Sequence, residues 1–158
     1  MPILNELVVH PTLGICSITH VDEQSHKVTL TSMADKGSHT TFPWENFQII
    51  GIRDLITKEN ASELMNTMYH PAIELFDSKQ MNPRAIEQLI KSSDIEKKAF
   101  VYSYLLYQKY TKDKIGVVNE TFLKRVEEIL CEEISFVLCL DCEKMVSDLY
   151  SSYRKMVH

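Results

Sequence analysis

The chain has 158 residues, 44% of them hydrophobic, with only 4 glycines and 5 prolines. That is enough for one compact domain or two small ones, and it excludes a low-complexity or largely disordered chain. The net charge of −5 argues against indiscriminate nucleic-acid binding, yet residues 79–125 carry ten Lys/Arg and five Asp/Glu, net +5, between acidic flanks. Such a block is either a footprint for a polyanion or a set of solvated helix faces.

Residues 1–54 read as β. Runs at 6–9, 14–21, 26–33 and 40–42 carry Val, Ile and Thr at near-alternate positions. In the third run Val28, Leu30 and Ser32 fall on one face and Thr29, Thr31 and Met33 on the other. Gly14 and the stretches at 22–25 and 34–38 punctuate the runs as turns, and 47–52 reads as one more short strand. His10-Pro11 closes the first run, because proline cannot continue a ladder, and Gly14 lets the chain reverse.

Residues 55–158 read as α, with about five helices expected. Asn60 and Glu63 have the spacing of a capping box, and Asn82-Pro83 places a cap before a proline at the first helical position. Asp94 opens a helix to about Tyr110, buried through Ile95, Ala99, Tyr102 and Leu106. A long helix runs to about Leu138, its stripe being Phe122, Val126, Ile129, Leu130, Ile134 and Val137. Glu127, Glu128, Glu132 and Glu133 fall mainly on its other faces, toward solvent. A last helix covers 142–156.

Catalytic patterns are missing. Neither Gly-rich phosphate loop occurs, nor a G-x-S-x-G elbow, nor H-E-x-x-H. The early histidines, His10, His20, His26 and His39, lack ligand spacing, so no metal or other cofactor is expected. Three of the four cysteines, Cys131, Cys139 and Cys142, share a helical segment. The pair at 139 and 142 has C-x-x-C spacing without a second pair, and buried or half-buried thiols are the expected state. No apolar run approaches the roughly 20 residues that span a bilayer, and the N-terminus has no basic-then-apolar signal pattern. A cytoplasmic, non-enzymatic protein is the expectation.

Four blocks in order carry a family resemblance. "LVVHPTLGICSI" resembles the opening signature of CarD/CdnL-type bacterial transcription regulators, roughly V-V-Y-P-x-H-G-x-G, with His10, Leu13 and Cys16 standing for Tyr, His and the second Gly. "FPWENFQIIGIRDLI" is similar to their V/I-P-x-E-N segment followed by G-[VI]-R. "EQLIKSSDIEKKAFVYSYLLYQKY" and "FLKRVEEILCEEI" resemble two C-terminal blocks, so nearly the whole chain is covered.

The resemblance implies a small Tudor/SH3-like antiparallel β-barrel over 1–54 that docks on the RNA polymerase β subunit, and an all-α domain over 55–158 that contacts promoter DNA. Such a protein changes the stability of the open promoter complex. On this reading the polymerase contact falls on Val28, Thr29, Thr40, Thr41 and Phe42, through strand addition. The DNA contact falls on Lys79, Met81, Arg84, Lys91, Lys97, Lys98, Lys112, Lys114, Lys124 and Arg125, weakly and without sequence preference. The family places a wedging Trp near 79–81. Here that region has Met81, and the single Trp is Trp44 in the β part. Two rivals remain: an adaptor that binds polymerase but has lost DNA wedging, and a small enzyme using Cys16 and nearby histidines.

Overall fold

The computed structural model describes residues 1–78, 81–112 and 114–157, which divide into two compact units, Met1–Ile56 and Thr57–His158. The first unit is one antiparallel sheet of five strands: β1 (Leu7–His10), β2 (Gly14–Asp22), β3 (Lys27–Ser32), β4 (His39–Pro43) and β5 (Arg53–Asp54). Their order across the sheet is β4-β3-β2-β1-β5.

The expected alternation holds in β3. Val28, Leu30 and Ser32 are buried while Thr29 and Thr31 are not. Val8, Cys16, Ile18, Val28, Leu30, Phe42 and Ile52 form the core of this unit, covered at its margin by Leu13, Trp44, Phe47 and Ile50. Burying each of the larger aliphatic side chains contributes about 1.5–3 kcal/mol over leaving it in water. The register of β2 against β3 shifts between Ile18 and His20, which leaves Thr19 as the extra residue of a bulge.

The turn from β1 to β2 answers what His10 does. Its Nδ1 accepts from the backbone N–H of Thr12 at 3.1 Å and of Leu13 at 3.2 Å. An acceptor at Nδ1 fixes the neutral ring with its proton on Nε2, and partial burial holds the imidazole pKa below its usual value. Gly14 follows at φ 73°, in the left-handed region that a side chain would oppose.

Two sequence expectations fail in this unit. A closed barrel is not formed: β5 is two residues long, pairs only with β1, and no ladder among the described residues joins it to β4. Residues 47–52 do not make a strand either. Phe47–Ile50 is a single helical turn, α1, because Gly51 takes φ 91° and returns its N–H to the Phe47 carbonyl at 3.0 Å. Ile49 consequently points outward, 84% exposed.

The second unit is helical throughout: α2 (Lys58–Tyr69), α3 (Ile73–Ser78), α4 (Pro83–Lys91), α5 (Ile95–Thr111), α6 (Val117–Leu138) and α7 (Cys142–Val157). The described residues thus hold seven α-helices, six of them after Ile56, against about five expected. The short α3 lay unrecognised in "PAIELF", which shows too few turns for a periodic stripe.

Caps explain most boundaries. Asn82 Oδ1 accepts from the Ala85 N–H at 2.8 Å, and Asp94 Oδ1 from the Glu96 N–H at 2.9 Å. The first helix starts earlier than the capping-box pattern at Asn60 suggests. Thr57 is the cap, and its hydroxyl takes the Asn60 N–H at 3.1 Å. The core gathers α2, α5, α6 and α7 through Leu64, Met68, Leu105, Leu106, Leu130 and Leu149. The Tyr153 hydroxyl donates to the Met68 carbonyl at 2.6 Å, tying α7 to α2, and burial pushes this phenol up to about 12.

Candidate functional site

Three places gather functional chemistry. The first is the β4 edge. Two backbone bonds fix which groups of β4 face inward: the Ser32 N–H donates to the Ser38 carbonyl at 2.9 Å, and the Trp44 N–H to the His26 carbonyl at 3.1 Å. Antiparallel pairing alternates along that register, so the main chains of Thr40 and Phe42 turn toward β3. Those of His39 and Thr41 turn outward, onto the open side of the sheet. Pro43 ends the strand without an N–H to offer.

Side chains at this edge are largely committed. The Thr29 and Thr41 hydroxyls share a bond of 2.8 Å, as Thr19 and Thr31 do at 2.9 Å. Of the five residues expected to meet a polymerase, Val28 and Phe42 are core side chains, and Val28 and Thr29 belong to an interior strand. Of the five, Thr40, Thr41 and Phe42 lie on the edge strand, whose outward groups are the main chains of Thr41 and the neighbouring His39.

The second place is the N-terminal end of α6. Lys114 and Lys124 line one groove of about 540 Å³ with Gly116, Val117, Glu120 and Thr121. Gly116 caps this 22-residue helix at φ 88° without a side-chain bond, and Val117 at its first turn is 84% exposed. Backbone N–H groups, the positive helix end and two ammonium groups suit an anionic oxygen. Glu120 opposes them in part, and it already holds Lys109 at 3.5 Å.

The other predicted DNA contacts disperse. Arg84, Lys97, Lys112 and Arg125 are exposed, on α4, α5, the end of α5 and α6. Lys91 pairs with Glu87 at 3.2 Å one turn away. Lys98 is only 7% exposed, so it is corrected from a phosphate contact to a buried part of α5. Met81 is half-buried and its N–H donates to the Tyr104 hydroxyl at 3.4 Å, which fixes its backbone against α5. Lys79 lies outside the described residues.

The third place escaped the sequence reading. Glu127, assigned to solvent, accepts at one oxygen from the Tyr102 hydroxyl at 3.0 Å and the Tyr150 hydroxyl at 2.7 Å. Burial first, then the adjacent carboxylate, raises both phenols above their usual range. Glu127 is thus half-buried and Glu133 is buried, neither of them simply solvated. The thiol expectation also changes: Cys131 and Cys142 are joined in a disulfide between α6 and α7, and Cys139 is exposed. A groove of about 520 Å³ runs along this face past Glu127, Cys131, Cys142, Tyr150 and Arg154. No sequence pattern announces a Glu that two distant tyrosines share. The three-cysteine cluster was visible, but its pairing was not.

Among the described residues no group of three or more His, Cys, Asp or Glu side chains is arranged to hold a metal ion. No described helix is long and apolar enough to cross a membrane. No protein-family model matches this chain, and no curated protein matches it significantly.

Proposed function

We propose that this protein is a CarD-like transcription regulator of the cytoplasm. It binds the RNA polymerase β subunit through the β4 edge and promoter DNA backbone through the helical unit, and thereby shifts open-complex stability. The open sheet takes the place of the Tudor-like barrel of that family. The observation that carries this reading is the outward main chain of His39 and Thr41 on an edge strand, a template onto which a partner strand can add. The groove with Lys114 and Lys124 supports a phosphate contact that reads no sequence. No reaction is assigned to it.

The adaptor reading has its own support. Met81 is backed by Tyr104, Lys98 is buried, and Lys91 and Lys109 are each beside a glutamate. On that reading polymerase binding persists and DNA contact does not.

The test is capture of a polymerase β fragment by the full chain at low salt, with two proline variants. Thr41→Pro removes an N–H that faces outward and should lower capture about tenfold or more while the fold survives, since a tenfold loss is about 1.4 kcal/mol. Thr40→Pro removes an N–H used inside the sheet and should lower the stability of the sheet unit itself. Wild-type capture that Thr41→Pro leaves unchanged would refute strand addition, and failure of the wild type to bind would refute the polymerase reading.

A further inference from the structure

Three cysteines lie in unequal positions around the turn between α6 and α7: Cys131 within α6, Cys139 in the turn and Cys142 at the start of α7. Cys131 is 2% exposed, whereas Cys142, its disulfide partner, is exposed at the first position of α7. The Cα atoms of the bonded pair are 5.7 Å apart, within the range a disulfide spans. Cys139 is exposed, unbonded and three residues from Cys142.

Cys139 also sits where a helix usually ends on glycine. Its φ is 55°, and the Leu140 N–H closes the turn on the Ser135 carbonyl at 2.9 Å. A side chain in this left-handed region costs about 1–2 kcal/mol, so a cysteine here is conformationally expensive. The turn places that thiol three residues from an exposed half of the disulfide, at the C-x-x-C separation that recurs in exchanging pairs.

We propose that this turn is a thiol–disulfide exchange site in which Cys142 changes partner between Cys131 and Cys139. The Cys139 thiol loses its proton to solvent, and its sulfur attacks Cys142 Sγ. The Cys139–Cys142 bond forms, the Cys131–Cys142 bond breaks, and the electron pair leaves on Cys131, which takes a proton from solvent. One thiol and one disulfide enter and leave, so no oxidant or reductant is consumed. Attack falls on Cys142 because Cys131 Sγ is covered. The exchange turns a bond between two helices into a bond local to the turn. It detaches the start of α7 from α6 beside the groove of Glu127 and Tyr150, while Leu149 and Tyr153 keep the rest of α7 in the core.

The full chain is incubated at pH 8.5 with or without a trace of reduced glutathione, quenched in acid, denatured and labelled with iodoacetamide. Peptides cut after Glu132 or Glu133 separate Cys131 from the other two, and Cys16 serves as the constant reference. Label confined to Cys139 at the start should divide between Cys139 and Cys131. Cys139→Ser should leave Cys131 unlabelled throughout. Cys131→Ser, oxidised with diamide, should close Cys139 to Cys142 within one chain, which tests the second pairing even if the exchange is slow. Label that stays wholly on Cys139, or a Cys131→Ser chain that forms no internal bond, would overturn the proposal.

Discussion

The two units keep their polar groups in different ways. In the sheet unit the threonine hydroxyls pair with one another on the outer face, and the interior is almost wholly apolar. The groups it presents to a partner are therefore main-chain groups, set by register. In the helical unit, polar groups are drawn toward the interior: half-buried Glu127 is bonded to Tyr102 and Tyr150, Tyr153 to Met68, and Glu133 and Lys98 are out of water. Backbone bonds are consumed within each helix, so what this unit has to offer a partner is side chains and helix ends. A strand edge is sensitive to proline and indifferent to most side-chain changes. A side-chain surface is the reverse.

The largest expected effect separates the two cores. Leu30 and Leu106 are both fully buried, one in each unit. Leu30→Ala and Leu106→Ala should each cost about 2–5 kcal/mol, through lost burial and the cavity left behind. Urea melts followed at Trp44, whose ring stacks on His26 in the sheet unit, should move strongly for Leu30→Ala. They should move little for Leu106→Ala, whose loss appears in far-ultraviolet ellipticity. Equal shifts in both probes for both variants would show that the units melt as one.

Next in size is the disulfide, which belongs to the helical unit alone. It closes a loop with a sequence separation of 11. Chain-entropy reasoning gives about 3 kcal/mol for a loop of that order. Reduction by a phosphine should lower the helical transition by roughly that amount and leave the Trp44 signal in place.

The same contrast explains what could be read from residues alone. In β3 the period of two puts Val28, Leu30 and Ser32 on one face by counting, and that is the face the structure buries. In α6 half of the expected stripe holds, because Val126, Leu130 and Ile134 are buried. Leu123, Cys131 and Glu133 are buried, while Phe122, Ile129 and Val137 are only partly so. A 22-residue helix that meets several neighbours buries more than one stripe, and a glutamate among tyrosines looks in sequence like any surface glutamate. The edge at Thr40–Phe42 was legible, but which main-chain groups turn outward required the register. The basic block at 79–125 was legible as charge, whereas its division among exposed, paired and buried lysines depended on packing.

That division can be measured through salt. If Lys114 and Lys124 each neutralise a phosphate, replacing either with glutamine should reduce the slope of log K against log[salt] by about 0.9. Replacing Lys98 should leave the slope unchanged and lower stability instead. Binding isotherms on an upstream-fork duplex at four salt concentrations distinguish these outcomes. A slope unaffected by both groove lysines favours the adaptor.

The smallest effect concerns His10 and returns the comparison to the sheet unit. Its Nδ1 accepts two backbone N–H groups, so protonation turns an acceptor into a donor facing donors. Burial lowers its folded-state pKa below 6.5, so between that lowered value and 6.5 the unfolded chain binds a proton that the folded chain does not. Stability from this group is complete above about pH 6.5 and falls as pH drops toward the folded pKa, below which no more is lost. The difference in urea midpoint between wild type and His10→Asn, followed at Trp44 from pH 8 to 4.5, should shrink over that window. Asparagine can still accept the turn N–H groups and does not titrate. A difference that is flat across the window would mean that the turn tolerates the imidazolium, and the β1–β2 connection would then be held by Gly14 and the strand ladder alone.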